Sequence, residues 1–215
     1  MPYQHLMATS YKLDIDPEKE NFSESFKDFF HNHFIDMKGL SRREIDTSFY
    51  SQMTIDEKEI AKRLIRQNLD LRYVHLIEAT GKLKDELALP ILYEQLKNTS
   101  DLSRQLIIGQ AIWRINNDIV YRDLLRMLQE SPNHITKEAH FEQVTDFKNM
   151  ESIEMLFRYL RDEGDFVRYL ALSELNHLIS GQQSFESKFD TDYFLSRQED
   201  EAFKKMLLQN LQRLL

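Results

Sequence analysis

Residues 78–97 read EATGKLKDELALPILYEQLK, with Gly81 inside one apolar run and Pro90 inside the next. Three readings compete: a broken helix, a phosphate-binding turn, or the joint between two units of a repeat. The third fits what surrounds it. Leu92, Leu124 and Leu156 advance by 32 residues, as do Leu96, Leu128 and Leu160. In the following half-unit Thr80, Ile112, Val144 and Leu175 align, as do Leu83, Ile115, Phe147 and Leu178, with spacings of 32, 32 and 31. Each unit holds two apolar-periodic segments separated by a polar break: NTSDLS (98–103), ESPNHITK (130–137) and DEGDF (162–166). A helical hairpin of this length cannot bury its apolar stripe alone, and stacking on its neighbours does so.

Composition agrees. Five glycines and four prolines in 215 residues are too few for the turns of a sheet-rich fold. Fourteen Phe and nine Tyr supply enough apolar area to order the chain. The expected fold is all-α, an α-α superhelix of stacked hairpins at residues 55–85, 86–118, 119–149 and 150–181. An N-terminal helical cap (1–54) precedes them, and a loop with a C-terminal capping helix (182–215) follows, all in one continuous domain. In the cap, Asp16 and Pro17 suggest a helix start, with Phe22, Phe26, Phe29, Phe30 and Phe34 recurring at helical spacing towards a stop at Gly39. Ser41 with Glu44, Thr54 with Glu57, and Ser196 with Glu199 each read as a capping signal. The loop 182–194 carries aromatics that would pin it, and Phe203, Met206, Leu207, Leu211 and Leu214 would cover the end of the stack.

The formal charge is −8 and no segment is strongly basic, so a nucleic-acid backbone would meet net repulsion. The absence of cysteine removes disulfides, cysteine–zinc sites and a thiol nucleophile. The N-terminus lacks a signal-peptide pattern, and no apolar run reaches membrane-spanning length, so a cytoplasmic protein without a membrane partner is expected.

The stretch 78–116 resembles the short HEAT-like repeat also seen in phycobilisome lyases. Ala79, Gly81, Leu83 and Asp85 match the first part of that pattern. Ala88, Pro90 and Leu92 sit near the second, and Asp101 with Arg104 matches its acidic turn. The fourth unit repeats the turn with Asp165, Val167 and Arg168, whereas the third departs from it and places Lys137 where arginine would stand. The resemblance covers roughly residues 59–181 and implies a solenoid; it says little of activity. Gly81 would let helices approach, Asp85 would mark a turn, and Pro90 would sit in a first helical turn where a missing N–H costs little.

Catalytic signatures are absent. Five glycines leave no phosphate loop or nucleophile elbow, and no Ser, His and Asp spacing singles out a triad. A HEAT-like hydroxylase acting on the hypusine lysine carries His-Glu dipeptides as iron ligands, and none of the seven histidines here precedes Glu. His31 and His33, two apart, cannot share a helical face. His140 and His177, in second helices of adjacent units, lie near Glu142 and Glu174 in sequence, yet read as ordinary histidines; no metal or cofactor is expected. Binding residues remain. Second helices commonly line the concave face of such solenoids, which selects Gln110, Trp113, Arg114, Glu142, Asp146 and His177. The expected function is a non-catalytic protein-binding solenoid, a scaffold or sequestering module for a basic partner such as a toxin neutralised in an immunity pair. The alternative implied by the resemblance is a lyase or isomerase acting on a protein-attached bilin.

Overall fold

The computed structural model describes residues 11–18, 20–35, 48–70, 73–180 and 189–214. Every regular element among these residues is helical: α1 (Glu24–Phe30), α2 (Phe49–Gln52), α3 (Ile55–Asn68), α4 (Val74–Leu83), α5 (Leu89–Asn98), α6 (Leu102–Asn116), α7 (Val120–Glu130), α8 (His134–Ala139), α9 (Met150–Tyr159), α10 (Asp165–Ser180), α11 (Thr191–Ser196) and α12 (Glu201–Leu214). The expectation of an all-α protein holds. The chain divides into two compact units, Met1–Tyr121 and Arg122–Leu215.

In the first unit, α3 pairs with α4 and α5 with α6, and α4 packs broadly along α6. Gly81 makes that contact possible. A Cβ placed there would stand 2.9 Å from the Ala111 Cα and 3.3 Å from its Cβ. The obstacle is backbone, so Gly81→Ala must push the two helices apart. Overpacking of this kind destabilises by about 1–3 kcal/mol, and a urea melt of the variant should show that loss.

Gly81 does not end its helix. Lys84 does, by taking the left-handed conformation (φ 51°) while its N–H bonds back to Gly81 and Thr80 carbonyls. Asp85 then turns the chain. It is 2% exposed, and both its carboxylate oxygens accept from the Arg66 guanidinium at 2.5 and 2.6 Å. Pro90 falls in the first turn of α5, as its lack of an N–H favours. The opening stretch is therefore a joint between two hairpins.

Phe26, Phe29, Phe30 and Phe34 are all buried, packed with Phe49, Ala61, Leu64, Ile65 and Leu76. The start of α1 differs from expectation. Asp16 and Pro17 form a turn, in which the Asp16 carboxylate accepts from the Glu18 N–H. The helix begins seven residues after Pro17, capped by Ser23, because the Ser23 hydroxyl accepts from the Phe26 N–H while Glu57 anchors it. Thr54 and Glu57 form the expected capping box. The Ser41–Glu44 pattern and Gly39 lie outside the described residues.

In the second unit, α10 packs against α8, α9 and α12. The second helix of the third hairpin is broken, contrary to a simple repeat. After α8 the chain runs through a 3₁₀ turn (Phe141–Thr145) and a left-handed Lys148 (φ 46°), so His140 sits at the junction. The last helix is also capped differently. Asp200, not Ser196, accepts from the N–H groups of Ala202 and Phe203, both at 3.0 Å. Ser196 closes α11 instead, because its hydroxyl donates back to the Tyr193 carbonyl at 2.8 Å. Phe189 stacks on Tyr193, which meets Phe194 and Phe203, so the described part of the 182–194 segment is held by aromatics. Phe203, Leu207 and Leu211 are buried; Met206 is 38% exposed, and the Leu214 side chain is outside the description.

Candidate functional site

The residues selected from the sequence fall into two groups, one in each unit. In the first, α6 carries Gln110, Trp113 and Arg114. Gln110 is 7% exposed and offers little contact surface. Trp113 is half-buried, with its ring 5.6 Å from the buried Tyr121 ring. It therefore packs as well as presenting an edge. Arg114 is half-buried beside the end of α4. There desolvation lowers the Lys82 ammonium below its usual range, Glu78 opposes this, and the Arg114 charge adds to it. Lys82 also lies 5.6 Å from the Tyr50 ring centre. This face mixes both signs of charge around aromatic rings.

The second group is more compact chemically. Glu142 is exposed on the 3₁₀ turn after α8, and Asp146 caps that turn. Glu174 and His177 lie three residues apart on α10, on neighbouring positions of one helical face. Burial pushes the Glu174 carboxyl up; His177 pulls it back, and the Glu142 charge adds to the rise. Glu174 thus feels both the His177 ring and the Glu142 charge. The His177 Nδ1 is buried without a hydrogen-bond partner. Among the described residues no group of three or more His, Asp or Glu side chains could hold a metal ion.

Two features escaped the sequence reading. The α7–α9 side of the second unit holds a groove of about 380 Å³, lined by Arg126, Glu130, Glu151, Glu154 and Arg158 among others. Its size is that of a small-ligand pocket, but such pockets are mostly apolar and this lining is charged. Arg122 and Arg126 both reach Glu151, at 2.5 and 2.7 Å, which ties α7 to α9.

The other feature is a buried polar cluster in the first unit. His33 is 4% exposed, its Nε2 lies 2.6 Å from the Tyr50 hydroxyl, and its Nδ1 has no partner. Its ring stacks on His75 at 5.8 Å, and the Tyr11 hydroxyl approaches the His75 Nε2 at 3.3 Å. Burial above all, then His75 and Lys82, lowers His33 to about 3. Unfolding restores the ordinary value near 6.5, so below that pH the unfolded chain takes up a proton that the folded chain refuses. Stability should therefore fall as pH drops from about 6.5 towards 3, by up to about 1.4 kcal/mol per pH unit. Urea midpoints of the wild type and His33→Phe between pH 6.5 and 5 check this; the variant should show the flatter slope.

No described helix is long and apolar enough to cross a membrane. Compared with protein-family models, with curated proteins and with solved structures, the chain gives no match.

Proposed function

We propose that the chain is a non-catalytic protein-binding α-solenoid of HEAT-like type, which sequesters a basic protein partner in the cytoplasm. The observation that carries this reading is the group formed by Glu142, Glu174 and His177. A carboxyl raised by burial and by a second carboxylate favours the arrival of a cation, since an ammonium or guanidinium beside Glu174 would stabilise its charged form. The net charge of −8 would speed the approach of a basic protein. The packing of α4 on α6 at Gly81, and the separate packing of α8 on α10 in the other unit, support second helices lying side by side within each unit as a HEAT-like stack requires. The described groove is lined by charged side chains, which lends the bilin reading no support.

The test is capture from a lysate of the source organism on the immobilised chain, with salt elution and identification by mass spectrometry. The expected result is one or a few basic proteins that elute with rising salt. Their retention should be lost with Glu142→Gln plus Glu174→Gln, and reduced with Trp113→Ala plus Arg114→Glu. Capture of the same proteins by all three forms would sink the assignment of these faces.

A further inference from the structure

We infer that the turn joining α9 to α10 is the docking surface for an arginine-bearing segment of the partner, with the guanidinium over the Phe166–Tyr169 ring pair. The inference rests on the reading above and names where the partner is gripped.

Phe166 and Tyr169 are 53% and 38% exposed, yet they stand one helical turn apart at the start of α10 with their rings stacked at 5.9 Å and 17°. A stacked aromatic pair left open to water is an apolar surface of the type that interface hot spots use. The turn beneath is rigid. The Asp162 carboxylate accepts from the Gly164 N–H at 2.9 Å, contacts the His134 ring at 3.0 Å and pairs with the Lys137 ammonium at 2.5 Å. Arg168 donates to the carbonyls of Asp162 and Glu163 and pairs with Asp165. A surface held this way loses little freedom when a partner binds.

Charge selects the occupant. Of the cations around the turn, Lys137 and Arg168 are held by its own carboxylates and carbonyls, and the exposed Arg161 lines a separate groove with Glu154 and Glu199. Glu163 and Asp165 stand exposed at the rim, Asp165 with 93% of its side chain open. Aromatic faces flanked by carboxylates suit a guanidinium, which stacks flat on a ring and offers a fork of donors to the acids. Phe166 and His177 are eleven residues apart in α10, on one face and about 16 Å apart along the helix. A segment gripped at the aromatic pair would thus run on to the Glu174–His177 group.

The experiment is fluorescence anisotropy of a labelled arginine–leucine peptide of about twelve residues, and of its glutamate–leucine counterpart, titrated with the full chain. The arginine peptide should bind and the glutamate peptide should not. Phe166→Ala plus Tyr169→Ala should weaken binding at least about ten-fold, with helicity and melting unchanged because both side chains are exposed. Phe166→Leu plus Tyr169→Leu keeps the apolar surface but removes the ring faces, and should weaken binding as much. Failure of the wild type to prefer the arginine peptide overturns the inference, as does undiminished binding by the alanine or the leucine variant. Loss only with Glu142→Gln plus Glu174→Gln overturns it and leaves the wider reading standing; loss with no variant removes both.

Discussion

Asp162→Ala is expected to destabilise the protein by about 3 kcal/mol or more, with the loss confined to unfolding of the second unit. Asp162 and Lys137 are 6% and 7% exposed at their side chains, and their 2.5 Å contact joins α8 to the turn before α10. Removing one partner of a buried pair leaves the other as an uncompensated buried charge, which costs about 3–5 kcal/mol. Here the variant also strips the Gly164 N–H and the His134 ring of their acceptor.

The same physics makes the prediction discriminating. Replacing both members, as Asp162→Ala with Lys137→Met, removes the stranded charge and should recover a good part of the loss, since apolar replacements of whole buried pairs are often nearly neutral. A double-mutant cycle in urea should give a coupling of about 1 kcal/mol or more. Additive losses would show that the pair is solvated and contributes little. Because Asp162 also holds the turn that presents Phe166 and Tyr169, the single variant should weaken the arginine peptide without touching either ring.

What the sequence reveals about this fold is local, and the limits of its legibility are physical. Thr54 with Glu57, Asp101 before α6 and Pro90 in α5 are readable because a cap or a missing N–H acts within one helical turn. The polar breaks mark hairpin loops for the same reason. Lys84 is not readable, because the left-handed conformation that ends α4 falls on a residue with no glycine-like signature. Nor are the Arg66–Asp85 and Lys137–Asp162 pairs, whose partners stand 19 and 25 residues apart and meet only through packing. In the candidate site, Glu142 and His177 were legible from their place in the repeat, while the broken helix after α8 was not. Phe166 falls in a polar break of the sequence and nothing there singles out Tyr169; only burial separates an exposed ring from a core one.

Glu57→Ala carries the second large effect, because one carboxylate closes the starts of two helices. Glu57 Oε1 accepts from the Ser23 N–H at 2.7 Å; Oε2 accepts from the Ser23 hydroxyl at 2.9 Å, the Thr54 N–H at 2.9 Å and the Thr54 hydroxyl at 3.0 Å. The residue is 6% exposed, so water cannot replace these contacts. Hydrogen bonds to a charged group contribute about 1.5–3 kcal/mol each and are not additive, so a loss of about 3 kcal/mol in the first unit is expected. Burial would raise this carboxyl, but the bonds from Ser23 and Thr54 outweigh it and hold the group below its usual value. A carboxyl lowered in the folded state stabilises fully above its unfolded value near 4.5, and that share is lost as pH falls through the folded value. Glu57→Ala should therefore lower the urea midpoint most at neutral pH, with the gap to the wild type closing below about pH 4. Glu57→Gln retains one oxygen as acceptor but presents an amide to the remaining donors, so it should fall between the two. A gap that stays constant from pH 7 to 3 would mean that shape, not charge, joins α1 to α3.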